Sequence, residues 1–558
     1  MPLEDIQKGM KVTGYTVFEG HTIEPFSGTV KGFVRNMLGP QRDVIIVEFE
    51  DERLKHTGIM HGMSGSPVYI GNKLIGAVSL ALSPFPLDPI AGVTPIAYML
   101  DEGLDGAAPP PSLASLFTRR SLIGPLTLAG IEPQVFERFR RRFDNFPGGV
   151  RLLPPAHSAA AASAPRPDRR VDPQGSDRLE PGSAVALTLL DGDSSLTATG
   201  TVTWRDGNKI YAFGHPFLTL GEVSFPMAGA EVVASIADQT YPFKLANAGP
   251  PIGAVVRDRI TAIVGEVGAV PKMIPVRMAF HYPDGDGRTF SYRMIEDINL
   301  TPMLLELALS NSVQRQWRHL TKGTYRVQAR IELQDGRSIG FDDFYVAGDG
   351  DVPGSLQDAV ADLGTRFTAL YVNRFRPVSV ARVEMDVHID PRVLYYTIED
   401  VIPRTGEVRA GGIVPLTLVL RRHRGGIVRR AIDVPIPRGV GGETLTLRVL
   451  DARSADGSAD DGGRPDPDRA ANFDELVRSL DGGRSSGRLY IQLSRQEPGL
   501  MVDDHALAGL PPSIRHVLEG DSKTQARLNS LLVWEESIPL DGFVEGRREL
   551  SVAVRTPP

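Results

Sequence analysis

The apolar runs of this chain are short, and most of them end on glycine or proline. Across 558 residues there are 58 glycines and 44 prolines. Inside a helix each glycine costs about 1 kcal/mol and each proline about 3 kcal/mol, whereas turns between short strands use both. The pattern predicts a mainly β protein of many short strands. No run of the ~18 apolar residues that would span a bilayer occurs.

Residues 11–100 read as consecutive strands. Thr13–Phe18, Thr22–Val34, Val44–Phe49, Pro67–Ile70 and Leu74–Leu80 alternate or are β-branched. Gly71-Asn72 signals a hairpin between the last two, and a short helix over Ile96–Gly103 closes the block. The stretches Ala107–Pro111 and His157–Pro181 are too rich in Ala, Pro, Asp and Arg to bury a core. Residues 106–181 therefore read as a long tether, with room for one or two short helices within Ser112–Phe146. Strands return at Ala184–Leu190, Leu196–Trp204 and Lys209–Phe213. Helices are expected over Pro302–Arg318 and Ser355–Asn373. Strands at Val378–Ile389, Ile413–Arg421, Gly426–Val434 and Glu443–Leu450 suit a small sandwich. A polar linker, Ser454–Asp468, precedes strands at Arg488–Leu493 and Leu550–Val554. The expected organisation is 1–105, a linker over 106–181, 182–300, an α/β accessory domain with sandwich-like strands over 301–452, a linker over 453–472, and a mixed domain over 473–558.

Cysteine is absent, which excludes disulfides, thiolate metal sites and a cysteine nucleophile. The net charge of -7 gives no electrostatic footprint for nucleic acid, and the one dense basic cluster, Arg138–Arg142, suits a solvated helix face. Met1-Pro2-Leu3-Glu4 runs straight into domain-like sequence, so no signal peptide is visible. A strand pattern beginning near Met10 suits a trimmed product exported to the periplasm, envelope or medium, with the cytoplasm as the alternative.

The sharpest local signal is Gly62-Met63-Ser64-Gly65-Ser66-Pro67, followed by the hairpin Val68–Ser79. A serine between small residues, ahead of proline and a hairpin, is how chymotrypsin-like proteases present a nucleophile. The glycines let the backbone turn tightly, so amides at Gly62, Met63 and Ser64 are candidates to hold an oxyanion. Glycine directly after Ser64 excludes the elbow of α/β-hydrolases. Ser66 is the alternative nucleophile, and a plain Gly/Ser turn is the bland explanation. A serine needs a base within hydrogen-bond reach, and eleven histidines compete. His215, in Tyr211-Ala212-Phe213-Gly214-His215-Pro216-Phe217, ends a strand between glycine and proline, which fixes an imidazole beside a loop. His21 is second, and His61, on the serine turn itself, is expected to point elsewhere.

Together these segments resemble the SpoIVB peptidase family, S55. The family's GMSGSP and following K-[LV]-I-G-A-V strand match Gly62–Val78. Its G-T-[VL]-T strand, A-x-G-H segment and E-[IV]-V stretch match Gly200–Thr203, Ala212–His215 and Glu231–Val233. Pro251-Ile252-Gly253 and Ile263-Val264-Gly265 are similar too. The resemblance spans roughly 1–105 and 182–285, and the family's PDZ-like module is not evident. In that family the histidine half comes first, whereas here Ser64 precedes His215. Triads are defined in space and not by chain order, so the resemblance implies a chymotrypsin-like two-lobed β-barrel core in swapped order, followed by accessory domains. It also implies an acid shortly before the serine: Asp51, with Asp43 as runner-up. The expected function is serine endopeptidase action on a protein or peptide, with neither metal nor cofactor required. Ser79, Leu80, Ala81 and Val93 are expected to offer edge backbone to an extended peptide. The rival is a catalytically silent scaffold that keeps the lobes to bind peptides or partner proteins.

Overall fold

The computed structural model describes residues 1–82, 88–101, 126–145, 151–153, 171–172, 179–239, 241–316, 322–347, 355–404, 408–456, 467–502, 505–507, 512–518 and 524–555. The chain divides into two units, one of residues 1–276 with 290–314 and the other of 277–289 with 315–558. Among the described residues no helix is long and apolar enough to cross a membrane.

The first unit opens with a closed antiparallel barrel of six strands: β1 (Lys11–Val17), β2 (Ile23–Val34), β3 (Val44–Phe49), β4 (Pro67–Ile70), β5 (Lys73–Ala81) and β6 (Ile90–Pro95). Their order around the barrel is β1-β2-β3-β6-β5-β4, with β4 returning to β1. Alternation explains it. In β1 and β3 every second residue is buried, and Val12, Phe26, Val30, Val47, Phe49, Val68, Val78 and Val93 fill one core. Gly71, at φ +60°, turns the expected hairpin. Two elements were not anticipated: the helix α1 (Glu52–Thr57), in a stretch that reads as a polar loop, and β6. The helix α2 (Ile96–Asp101) follows as expected.

A second ring of six strands follows. The strands are β8 (Ala184–Gly192), β9 (Ser195–Asp206), β10 (Lys209–Ala212), β11 (Gly221–Ile236), β12 (Phe243–Asp258) and β13 (Ile263–Val267). They pair in the order β8-β11-β12-β13-β10-β9, and the β8–β9 pairing closes the circuit. The mainly β, two-lobed plan expected from the sequence is therefore present, with the serine half preceding the histidine half. The presumed tether requires correction. Its described part contains β7 (Thr127–Ala129), paired with β9, and the helix α3 (Pro133–Asp144). Phe136, Phe139 and Phe143 give α3 a buried face. Glu132 N–H donates to Asn311 Oδ1 at 2.8 Å. Arg142 pairs with Glu306 on the helix Leu300–Gln316. The Ala/Pro-rich stretch within His157–Pro181 lies mostly outside the described residues.

The second unit holds two further sheets and a packed helix. Strands Gly323–Leu333, Ser338–Ala347 and Val380–Asp390 pair antiparallel. The helix Leu356–Tyr371, started by a Ser355–Asp358 capping box, carries a buried face of Val360, Leu363, Phe367 and Leu370. Strands Tyr395–Pro403, Ile413–Arg422 and Ile427–Pro435 form one sheet, which shares a core with Thr444–Leu450, Arg488–Val502 and Arg547–Arg555. The expected sandwich exists with different membership. Val380–Asp390 pairs elsewhere, and the stretch read as a separate C-terminal domain supplies sandwich strands.

Candidate active site

The Ser64 turn is shaped by its glycines. Gly62 and Gly65 stand at φ +93° and +92°, where any side chain is strained. Gly65 also lacks room, since a Cβ would lie 1.9 Å from the Thr201 carbonyl oxygen and 2.6 Å from the Phe213 nitrogen. The turn thus rests on β9 and on the segment carrying His215. Ser64 O accepts the Thr201 N–H at 2.8 Å, and Thr201 O accepts the Phe213 N–H at 3.3 Å. Thr201 and Thr203 donate their hydroxyls to the carbonyls of Gly62 and Gly65, at 2.9 and 2.7 Å.

The histidine segment is fixed from the barrel side. Gly214, at φ +71°, packs so closely on β5 that a Cβ would sit 3.0 Å from Ala77 Cβ. Its carbonyl accepts the Thr94 hydroxyl at 2.7 Å. Phe213 adopts φ +72°, which costs a non-glycine residue on the order of 1 kcal/mol. Its buried ring occupies space left by Gly200, where a Cβ would fall 2.3 Å from that ring. Strain retained beside a candidate base is a mark of function. Ser64 and His215, far apart in sequence, are thus bonded into one seam through Thr201.

His215 is buried, and its Nδ1 lies 2.7 Å from the Pro216 carbonyl oxygen. A carbonyl only accepts, so Nδ1 carries the proton and Nε2 presents the lone pair. Ser64 Oγ is buried and hydrogen-bonds to no described group, and the same is true of Ser66 Oγ. Buried hydroxyls normally find partners, so Ser64 is held unpaired, and it makes no hydrogen bond to His215 in this conformation.

The oxyanion expectation is refined. Met63 N–H donates to Met60 O at 3.1 Å, so Met63 is removed from the donor set. The amides of Gly62 and Ser64 donate to nothing among the described residues. Peptide planarity sets N–H opposite C=O, and both planes are anchored at their carbonyls. His61 O accepts Lys244 N–H at 3.0 Å, and Met63 O accepts Ser66 N–H at 2.9 Å.

The expected acid, Asp51, is engaged at the start of α1. The Asp51 carboxylate caps the Arg53 backbone N–H at 2.9 Å and grips the Arg53 guanidinium at 3.1 Å. That guanidinium holds its carboxyl below the usual range, and Asp51 is the N-cap that starts α1. Asp43 accepts from Asn36 N–H at 2.9 Å. The carboxylate that supports the histidine loop is Asp258, which the sequence reading missed. It is buried and accepts the N–H groups of Phe217 and Leu218 at 2.7 Å and of Leu220 at 3.1 Å. Burial pushes it up to about 6 against the pull of those donors. An Asp set between Arg257 and Arg259 just beyond the apolar run Gly253–Val256 was the available signal.

The expected substrate edge is also corrected. Val93 pairs with Ile45 on one side and Val78 on the other, so β6 has no open edge there. Ser79 is buried with its hydroxyl on Gly92 O at 3.2 Å, Leu80 is buried, and Ala81 is only partly exposed. His21 is exposed, and the His61 ring turns away to stack on Tyr241 at 3.8 Å. Tyr241 and Phe243 line a cavity of about 440 Å³ together with Phe136, Arg140, Arg151 and Leu152.

Residues 3–88 match the family model described as SpoIVB peptidase S55, a span that contains β1–β5 and the Ser64 turn. No curated protein matches the chain. A crystal structure of a superantigen-like protein from Staphylococcus aureus is similar at 11% identity over 38% of this chain and 93% of that one. Its TM-score of 0.12 is too low to bear on fold or function.

Proposed function

We propose that this protein is a serine endopeptidase with Ser64 as nucleophile and His215 as general base. Ser64 Oγ attacks the peptide carbonyl carbon while its proton passes to His215 Nε2. The carbonyl oxygen, now an oxyanion, takes the Gly62 and Ser64 amides. The C–N bond then breaks as His215 returns the proton to the leaving amine. Water completes the cycle by the same steps, regenerating Ser64 and releasing the acid. The Pro216 carbonyl fixes the histidine tautomer, and Asp258 holds the loop behind it. The observation that carries this reading is the seam on Thr201, which joins both motifs while the Gly62 and Ser64 amides have no acceptor among the described residues.

One observation favours a silent scaffold as the second reading. Ser64 and His215 are 0% and 1% exposed, so a peptide reaches them only after their cover moves. A fluorophosphonate separates the two, because only a base-activated serine reacts at a useful rate. Labelling of the wild type, lost in Ser64→Ala and kept in Ser66→Ala, is expected. A wild-type protein that takes no label under conditions where it is folded would establish the scaffold.

A further inference from the structure

Lys244 has no step in the acyl transfer above, yet it is only 3% exposed and packs beneath the Ser64 turn. A Cβ on Gly62 would meet its stem at 3.2 Å. Its Nζ donates to the Thr16 hydroxyl at 2.6 Å. That hydroxyl lies 3.5 Å from the Thr201 hydroxyl, which donates to Gly62 O at 2.9 Å. A hydroxyl has one proton. Thr201 uses its own on Gly62, so Thr16 donates toward Thr201 and accepts from Lys244. The result is a one-way chain from amine through two hydroxyls to the carbonyl beside the oxyanion amides. Thr16 and Thr201 are both 0% exposed, so water does not compete for its links.

We propose that Lys244 is a positioning residue for the oxyanion amides, its uncharged amine holding the Thr16–Thr201 chain against Gly62 and its protonation releasing that turn. The inference rests on the peptidase reading. Protonation matters because an ammonium brings three donors to a sealed site that offers it one hydroxyl and, at 5.8 Å, the Phe18 ring. Among the described residues no carboxylate hydrogen-bonds or ion-pairs with Lys244. Charges on neighbouring elements include Arg53, which covers the Phe18 ring at 3.8 Å and is balanced by Asp51 and Glu24, His61, whose ring faces Tyr241, and the exposed Glu231 on β11, which stands opposite Asn247. Opposite Lys244 on β11 stands the neutral Ser235, bonded to Phe18 O. Burial accordingly pushes Lys244 down to about 7.

The test is the second-order rate of fluorophosphonate labelling of the full chain from about pH 5.5 to about pH 9. In the wild type two protonations, on His215 and on Lys244, should make the logarithm of the rate fall with a slope approaching two on the acid side. Lys244→Met should reduce that slope to one and lower the plateau about tenfold, the loss of roughly one positioning hydrogen bond. Lys244→Arg, charged at every pH, should keep only the one-proton dependence of His215 and plateau below the wild type. A slope of one in the wild type, or a profile unchanged by Lys244→Met, overturns the proposal. NMR titration of ε-carbon-labelled lysine in the Ser64→Ala protein gives a readout that needs no catalysis. A Lys244 resonance that stays protonated beyond about pH 9 also overturns it. A wild type that takes no label but shows Lys244 titrating near neutrality would instead count against the peptidase reading.

Discussion

Replacing Gly65 by alanine tests the seam that joins the two motifs, and Gly71→Ala is its control. Both glycines have positive φ, +92° and +60°, so each substitution carries a backbone cost of about 1–2 kcal/mol. At Gly71 that is the whole cost, because nothing lies within 4 Å of the new methyl group. At Gly65 the methyl falls 1.9 Å from Thr201 O, 2.6 Å from Phe213 N and 2.9 Å from Thr201 C. These are backbone atoms of packed segments and cannot rotate away. Relieving the overlap requires β9 to retreat by roughly 1.5 Å to reach ordinary contact. Such a retreat loosens three bonds: Thr201 N–H to Ser64 O, and the Thr201 and Thr203 hydroxyls to Gly62 and Gly65. At about 1 kcal/mol each, they bring the expected loss to roughly 4–5 kcal/mol. In calorimetry that is a fall of roughly 10 °C or more for a unit of this size, against a few degrees for Gly71→Ala. Fluorophosphonate labelling of Ser64 should fall with it. A Gly65→Ala protein that melts with the control and labels at the wild-type rate would refute the argument that the two motifs share a rigid seam.

Other expectations follow from the same geometry. His215→Ala should lower turnover by about three or more powers of ten, comparable to Ser64→Ala, with the double variant little worse; the exposed His21→Ala should be near wild type, and the reverse outcome would move the base to the first lobe. Asp51→Ala should cost only the α1 cap, about 1 kcal/mol in unfolding measurements, and leave labelling intact; a fall matching His215→Ala would restore it as the acid. Asp258→Asn sets amide hydrogens against backbone N–H donors and should cost about 1–3 kcal/mol, with slower labelling at Ser64. Because burial raises Asp258 from 3.8 to about 6, its contribution is fully present below the unfolded value and is lost as the pH rises through about 6. Thermal midpoints across that window should slope in the wild type and flatten in Asp258→Asn.

The sequence by itself determined the strands and both motifs, because these depend on local chemistry. Alternating apolar residues placed β1, β3 and the β4–β5 hairpin within a residue or two, since burial on one face of a strand demands a period of two. Gly62, Gly65 and Gly214 were legible as turn residues because positive φ is a local requirement. The Gly200–Thr203 strand was visible as a pattern, but the task of its threonines was not. Hydroxyl partners are set by which strand lies opposite, and that register exists only after the lobes close. The same reason hid Asp258, whose hydrogen-bond donors are N–H groups some forty positions earlier, and it hid the task of Asp51, which is near Ser64 in sequence but turned toward Arg53. Val93 read as an open edge because a strand cannot reveal whether it has one neighbour or two. The α3 segment read as tether because the partners of its apolar face come from elsewhere in the chain. Local sterics and periodicity wrote the elements and the nucleophile turn, while long-range pairing decided which buried groups are bonded, which are left waiting, and which carboxylate stands behind the histidine.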